Sequence, residues 1–336
     1  MFKSVPKTNL FRGYFKRNMS YKKILNENNI NKITAENEDL LVKFDENGLF
    51  LADKENANEF KKRMKLLFNN INKVYDDIEN KSNYKIFDNI TATKDDIISN
   101  DIMQEASTRT ENLFAFSASW VPGFFLSKSL GLMWGGCAVY YPESGLSMFL
   151  IRKSFKENEK FFIYKRKELL SHELCHAARL PLNDPVYEEH FAYMTSKNKF
   201  RQYFGNCFQG RWDAHLFLGP VLLLLAVQIF RTFVTSTDII IAPFWILIII
   251  YPIYMLLRSH KQRKDYFKAM KNLKALKITE PRAILFRSVK KEISRMALLE
   301  GKSLINFINY KCKESLRWKI IKKRFLSNAS NQFSGE

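Results

Sequence analysis

Two long apolar blocks in the second half of this 336-residue sequence constrain its fold more than any other feature. Leu216–Phe233 is interrupted only by Gln228 and Arg231, and Ile239–Leu257 contains no charged residue. A helix of either length spans about 27–29 Å, close to the thickness of a hydrocarbon core. Because only a short connector separates the blocks, we predict a transmembrane hairpin. The alternative is a pair of helices buried in a soluble core.

The net charge of +20 is unevenly distributed, and this distribution predicts the orientation of the hairpin. Residues 258–336 contain 21 Lys/Arg and 6 Asp/Glu, so most of the excess follows the second apolar block. Flanks rich in Lys and Arg stay on the cytoplasmic side of a membrane. We therefore predict an integral membrane protein with both termini cytoplasmic. The alternative is the mitochondrial inner membrane, because residues 1–26 are basic and free of acidic residues.

Basic and apolar residues alternate at helical spacing after the hairpin, which predicts a basic helical tail over 259–336. Amphipathic basic helices bind anionic lipid headgroups, so we expect the tail to contact the membrane surface. The tail has no aromatic motif of the type that binds RNA, and nucleic acid is not an expected partner. Four scattered cysteines, Cys137, Cys175, Cys207 and Cys312, indicate a reducing compartment rather than a disulfide framework.

Upstream of the hairpin, the pattern changes from helical to strand-like. Apolar residues recur every three or four positions over 58–79, which predicts an amphipathic helix. From 113 to 164, Gly and Pro separate short apolar runs, and these runs predict strands joined by turns. The predicted strands cover 137–141, 147–151 and 161–164.

The segment His172-Glu173-Leu-Cys-His176 is an HExxH motif within a stretch of helical spacing. On a helix, His172 and His176 lie one turn apart on the same face, where both imidazoles can bind one Zn²⁺ ion. Glu173 lies beside them and can act as a general base toward a zinc-activated water. We therefore predict one zinc ion per chain.

A zinc site of this type needs a third protein ligand, and the sequence after the motif offers two strong candidates. A turn at 180–184 ends the first helix, and Pro185 begins a second one. Glu188 and Glu189 lie early in this second helix, where the short turn brings them back toward the histidines. The neighbouring His190 would point about 100° away from Glu189 and is a weaker candidate.

The motif and the downstream glutamate resemble those of the gluzincin metallopeptidases, which combine HExxH with a helical E-x-x-A sequence. Glu189-His-Phe-Ala192 matches that register, so the resemblance implies Glu189 as the third ligand, with Glu188 as the alternative. The pairing of such a core with a transmembrane hairpin is similar in general plan to the HtpX-like membrane peptidases. The resemblance covers about residues 145–205 and implies hydrolysis of peptide bonds.

Together these features predict an α+β fold. It comprises a small mixed or antiparallel sheet with a zincin-like HExxH helix and a Glu helix, then a two-helix transmembrane hairpin and a basic helical tail. The predicted domains are a basic arm (1–26), a mainly helical region (27–112), a zincin-like catalytic domain (113–212), the hairpin (213–258, with spans 216–233 and 239–257) and the tail (259–336).

The expected activity is that of an integral membrane zinc endopeptidase whose polypeptide substrates lie near the membrane. Glu173 would transfer the proton of the attacking water to the leaving amine. A peptide could pair with an exposed edge strand, either 147–151 or 139–141. The candidate donors to the tetrahedral oxyanion are Arg179, Tyr187, His190 and Tyr193.

Two other functions fit the same residues. An inactive HExxH domain could serve as a membrane-anchored scaffold whose basic tail binds anionic lipid or a partner. A zinc-dependent hydrolase acting on a non-peptide bond is the third hypothesis. A complete His–His–Glu ligand set with Glu173 retained would favour the peptidase over the scaffold.

Overall fold

The computed structural model describes residues 20–87, 90–126, 134–141, 145–210, 212–233 and 242–326. The helices are α1 (Glu27–Asn31), α2 (Glu38–Glu46), α3 (Ala57–Lys81), α4 (Asn100–Phe114), α5 (Arg166–Arg179), α6 (Pro185–Tyr193), α7 (Lys199–Phe204), α8 (Asp213–Phe233), α9 (Ala242–Ala275), α10 (Pro281–Phe286), α11 (Lys290–Leu298), α12 (Gly301–Glu314) and α13 (Leu316–Phe325). The strands are β1 (Asn83–Phe87), β2 (Ile90–Thr93), β3 (Gly123–Leu126), β4 (Gly136–Tyr141), β5 (Leu146–Arg152), β6 (Lys160–Phe161) and β7 (Tyr164–Lys165). The α+β class is confirmed. Most of the predicted basic arm, 1–26, and most of the connector between the apolar blocks lie outside the described residues.

Helix α3 forms where the apolar periodicity predicts it, and its start is fixed by side chains. The Asn56 side chain accepts the Glu59 amide, and the Glu59 carboxylate accepts the Asn56 amide, each at 3.0 Å. This capping box satisfies two amides that a free helix end leaves unpaired. The apolar face of α3 is buried from Phe60 to Ile78, so the helix predicted over 58–79 is confirmed.

The central sheet has three strands in the order β3–β5–β4, and this order decides which strand is an edge. β5 pairs in parallel with β3 and antiparallel with β4. The strands predicted over 137–141 and 147–151 are thus confirmed, but the second is central and buried. The expectation that 147–151 could receive a peptide is therefore wrong. Residues 139–141 belong to β4, which pairs with no second strand among the described residues.

The strand predicted over 161–164 is a tight hairpin instead. β6 and β7 are two residues each, and Phe162 at its tip has a φ of 50°. Helix α5 follows immediately and packs against β4 and β5. A short 3₁₀ turn, Leu180–Leu182, and the left-handed Asn183 then reverse the chain into α6, which packs against α5. The turn thus places two helices side by side at one edge of the sheet.

Helices α8 and α9 are long and apolar enough to cross a membrane. Only 6% and 11% of their apolar windows are buried, whereas the core helices of a soluble protein are mostly buried. The two helices pack against each other, and an ion pair of 2.6 Å joins Asp213 at the start of α8 to Arg258 of α9. α9 continues unbroken to Ala275, so the second apolar block and the start of the predicted tail form a single helix.

The predicted basic tail over 259–336 is helical in its described part, to residue 326, and it packs against the rest of the protein. Helices α10 to α13 share one hydrophobic core with the N-terminal helices. Arg287 is fully buried and donates from Nε to both carboxylate oxygens of Asp45, at 2.8 and 3.0 Å. Trp318 is also buried, and its indole donates to Glu292 at 2.7 Å. This segment therefore completes a core that it shares with the N-terminal helices, where the buried Arg287 has its acidic partner.

Candidate metal centre

Helices α5 and α6 bring three side chains to one point beside the edge strand β4. The Nε2 atoms of His172 and His176 face each other at 3.1 Å. Glu189 approaches both, with Oε2 at 3.6 Å from His172 Nε2 and Oε1 at 3.5 Å from His176 Nε2. With a single Glu189 oxygen chosen, the three ligand atoms lie within 4.8 Å of one another. Among the described residues, this is the one group of His, Cys, Asp and Glu with such spacing.

The three residues fit a zinc ion in number, type and spacing. Tetrahedral zinc with bonds of about 2.0–2.2 Å places neighbouring ligand atoms about 3.3–3.6 Å apart. The two histidine nitrogens are 3.1 Å apart, and each lies 3.5–3.6 Å from a different Glu189 oxygen, so a small rotation of the carboxylate would complete a site with one ligand oxygen. Two imidazoles and one carboxylate leave one position for water, which is the ligand set of catalytic rather than structural zinc sites.

Glu188 lies next to the third ligand candidate in sequence but contacts the other side of His176. Its Oε1 is 3.2 Å from His176 Nδ1, so Nδ1 can donate to the carboxylate, and Nε2 is the nitrogen that faces the other ligand candidates. The other oxygen, Oε2, accepts from Arg179 Nε at 3.4 Å. A carboxylate in this position orients a ligating histidine and raises its basicity. Of the two adjacent glutamates, the geometry thus gives Glu189 the ligand position and Glu188 a supporting one.

His172 is positioned by the helix that carries the carboxylates. A hydrogen bond to the backbone of Ala192 in α6 involves its ring. The Tyr193 ring packs edge-on against the His172 ring, with centroids 4.7 Å apart. Tyr193 in turn covers Gly205, where a Cβ atom would overlap the tyrosine ring. The position of His172 thus depends on contacts that continue into the turn after α7.

Burial and neighbouring charges shift the pKa values of the two histidines in opposite directions. Burial and the nearby His176 lower the pKa of His172 to about 3. Burial disfavours the charged form of His176 as well, but the hydrogen bond to Glu188 and the charges of Glu189 and Glu173 outweigh it. They raise the pKa of His176 to about 9. In the metal-free protein at neutral pH, these pKa values make His176 a positively charged imidazolium and leave His172 neutral.

Glu173 lies between the histidine helix and the edge strand. Its side chain is buried, and burial raises the pKa of its carboxyl, although the His176 charge and a hydrogen bond from the Ala138 backbone act in the opposite direction. Ala138 belongs to β4, so the general-base candidate directly contacts the strand that a peptide could join. A raised pKa suits a carboxylate that must take up and release a proton near neutral pH.

An open cleft of about 490 Å³ gives access to these residues. Its walls include Ala138 and Tyr140 of β4 on one side and Asn183 to Pro185 on the other. A larger cleft of about 1180 Å³ lies between the N-terminal and C-terminal helices, and its described lining contains no histidine or cysteine. We therefore place the candidate site in the smaller cleft, where the metal-ligating side chains converge.

The four predicted oxyanion donors have different surroundings in the structure. Arg179 is fully buried and bound to Asp184, Glu188 and the Phe286 carbonyl. Tyr187 is buried and donates to the Gln262 carbonyl at 3.0 Å. His190 is buried among aromatic rings, which also excludes it as a ligand, and burial lowers its pKa to about 3. Tyr193 alone of the four contacts a metal-ligand candidate.

Sequence reasoning missed three parts of the site. It treated Glu188 only as a competing ligand, although the adjacent pair Glu188-Glu189 is what allows one helix turn to reach both nitrogens of His176. It also gave Gly205 no role, since a single glycine after a short helix carries no signal for the ring that covers it. Arg179 connects Glu188 to the C-terminal segment through the Phe286 carbonyl, and no spacing in the sequence indicates that link.

Comparisons with models of known families, with curated proteins and with solved structures gave no match to this chain. The resemblance to gluzincins therefore stays a prediction from the motif residues.

Proposed function

We propose that this protein is an integral membrane zinc metallopeptidase that hydrolyses peptide bonds and holds one zinc ion per chain. One observation carries the proposal. The Nε2 atoms of His172 and His176 and the Glu189 carboxylate converge beside Glu173 in an open cleft. Three ligands plus an adjacent buried carboxylate are what metal-assisted hydrolysis requires.

Each residue of the centre has a distinct task in this mechanism. The bound zinc ion would lower the pKa of a water molecule and polarise the scissile carbonyl. Glu173 accepts the proton of that water on its carboxylate and delivers it to the leaving amine. The exposed side of β4, around 139–141, offers backbone groups that hold an extended peptide by strand addition. Tyr193 is the donor candidate for the developing oxyanion, because its ring lies against His172.

The membrane part of the proposal rests on α8 and α9. Each contains a long apolar stretch that is almost entirely exposed, which suits a lipid environment better than water. Lys and Arg flank the hairpin on the side of the folded body, so we propose a cytoplasmic metal centre with both termini on that side. Lys261 and Lys264 are exposed just after the second apolar block and are positioned to bind anionic headgroups. Substrates would then be polypeptides near the membrane.

The decisive experiment measures zinc and cleavage together on detergent-purified protein. We expect one zinc ion per chain in the wild type and none in His176→Ala or Glu189→Ala. Glu188→Ala keeps the ion but binds it more weakly. Glu173→Gln keeps zinc and loses cleavage of an unfolded polypeptide by about 10²–10⁴-fold, the usual contribution of a general acid–base.

The other outcomes separate the competing functions. A folded wild type that binds no zinc would overturn the peptidase proposal and favour the membrane-anchored scaffold. Zinc binding without cleavage of any polypeptide would favour a hydrolase acting on a non-peptide bond. Loss of zinc in Glu188→Ala but not in Glu189→Ala would reverse the two glutamate roles.

A further inference from the structure

Six large apolar side chains are exposed on the two segments that flank the helices of the metal centre. Two lie at the tip of the β6–β7 hairpin just before α5, and four lie on α7 and the turn that leads into α8. We call this set the apolar patch: Phe162, Ile163, Phe200, Phe204, Phe208 and Trp212. Phe162 is 69% exposed, Phe200 is 66% exposed and Trp212 is 60% exposed. Clustered exposure of this kind, unlike single scattered residues, marks a contact surface.

The patch is continuous with the apolar helices. Arg201 of α7 donates from Nη2 to the Ile163 carbonyl at 2.9 Å and so joins the hairpin tip to α7. The rings of Phe200 and Phe204 lie 4.4 Å apart. Phe208 contacts Phe217 of α8, with ring centroids 5.7 Å apart. Where the patch joins a membrane-spanning helix, it would be in contact with the same lipid as that helix.

The attachment of α7 to α9 sets the depth of the patch. Arg263 of α9 donates to the Gln202 carbonyl at 2.6 Å and lies over the Tyr203 ring at 4.8 Å. Arg263 is six residues beyond Leu257, the end of the second apolar block. Six residues of helix cover about 9 Å, and one headgroup layer is about 5–8 Å thick, so the attachment point lies at the outer margin of that layer. Helix α7 therefore lies at the level of the headgroups rather than of the acyl chains.

The charges around the patch favour lipid over a second protein copy. Lys160 and Lys165 are exposed on the hairpin, and Lys197 and Lys199 are exposed at the start of α7, with Glu159 as the exposed acid among them. An excess of lysines beside exposed aromatic rings matches phosphate headgroups above an apolar layer. Two copies of the same basic surface would repel each other.

We infer that the apolar patch inserts into the headgroup layer of the bilayer and holds the metal centre at the membrane surface. The membrane position rests on the hairpin of the proposed function and not on zinc, whereas the substrate class rests on the proposed peptidase activity as well. The link to the centre is short, because the Tyr193 ring contacts both His172 and Gly205 at the end of α7. The substrate class follows from this position: bonds at headgroup depth, in polypeptide segments that have just left a membrane span.

The test is the depth of a fluorescent label in vesicles of phosphatidylcholine and phosphatidylglycerol. The full chain carries Cys137→Ser, because Cys137 is the one native cysteine that is not buried. Single cysteines replace Phe162, Phe204, Leu225 and Leu298 in turn, and each carries the same environment-sensitive dye. Leu225 lies about 18 Å into α8, and Leu298 is an exposed apolar residue of α11 that serves as the matched control. The vesicles contain lipid brominated either near the headgroup or near the chain end.

We expect labels at 162 and 204 to lose fluorescence mainly with the shallow bromines, and the label at 225 mainly with the deep ones. The label at 298 should be unaffected by either. Labels at 162 and 204 that behave like the one at 298, while 225 is quenched, would overturn the inference and leave the hairpin intact. Fluorescence at 162 and 204 that changes with protein concentration instead of bromine position would assign the patch to a second copy of the chain. An unquenched label at 225 would overturn the membrane hairpin and this inference with it.

Discussion

At the scale of single residues, two adjacent glutamates receive different tasks because a helix turns about 100° per residue. Glu189 faces the two Nε2 atoms, while Glu188 faces His176 Nδ1 and Arg179. We predict that Glu188→Gln lowers zinc affinity by about 10–100-fold, the usual cost of losing the partner of a ligating histidine. Competition with a chelating dye measures the affinity. Glu159→Gln, at an exposed acid, is the matched control and should leave affinity unchanged.

The same carboxylates make zinc binding depend on pH. With a pKa of about 9, metal-free His176 is positively charged at neutral pH. Because zinc binds the neutral ring, this extra proton must be released when zinc binds. Zinc affinity should therefore rise about tenfold per pH unit from pH 7 to about 9 and then level off. His172, with a pKa lowered to about 3, is neutral throughout this range.

Calorimetry in two buffers of different ionisation enthalpy checks this prediction, because it counts the protons released per zinc bound. About one proton should be released at pH 7. Glu188→Gln replaces the carboxylate with a neutral amide, which removes the negative charge and weakens the hydrogen bond that contributes most to the raised pKa of His176, so proton release at pH 7 should decrease. A zinc affinity independent of pH over this range would mean that His176 is already neutral in the metal-free protein.

At the scale of elements, the centre depends on how closely α6 approaches the turn after α7. Gly205 permits the contact, since any Cβ there would overlap the Tyr193 ring. We predict that Gly205→Ala destabilises the fold by about 1–3 kcal/mol, the usual cost of overpacking, and also weakens zinc binding because Tyr193 supports His172. Thermal unfolding and zinc titration measure the two effects. Gly210→Ala is the control, since its added Cβ would have no atom nearer than 3.8 Å. If both variants had the same unfolding temperature and zinc affinity, the contact of Tyr193 with Gly205 would not be what supports His172.

Local patterns predicted the elements that form from nearby residues. The HExxH helix, α3 and the strands over 137–141 and 147–151 follow from spacing that each segment contains in itself. The order of the sheet does not, because β3 reaches β5 as a parallel neighbour across a crossover that no local pattern encodes. For this reason the sequence could not distinguish the central strand from the edge strand beside the metal centre.

The C-terminal helices show a second limit of sequence patterns. Their arginines look like a solvent-exposed or lipid-facing set, because a sequence shows charge without its partner. Arg287 is instead buried against Asp45, which is 242 positions away, and Arg317 against Glu292. Arg287 in particular is a core residue, because its Nε, Nη1 and Nη2 atoms all have acceptors. Burial of charge can be recognised only once the long-range pairs are known.

At the scale of the whole molecule, a single core determines how the chain meets the membrane. The core contains residues from Tyr21 to Ala192, before α8, and from Tyr266 to Leu326, within and after α9. Two segments that share one core must lie on the same side of a bilayer. Under the proposed membrane hairpin, the two helices between these segments would cross and return, and the basic flanks predict that the shared side is the cytoplasm.

We predict that cysteines introduced for Lys43 and for Leu298, both exposed, react with a membrane-impermeant maleimide from the same side. In the Cys137→Ser background, neither should be labelled in intact cells, and both should be labelled in inverted membrane vesicles. Labelling of both in intact cells would reverse the orientation and place the metal centre outside the cytoplasm. Labelling of one position from each side would contradict the shared core, because helices α10 to α13 could not then pack on the N-terminal helices. The pattern of two sites thus tests the hairpin, its orientation and the unity of the core together.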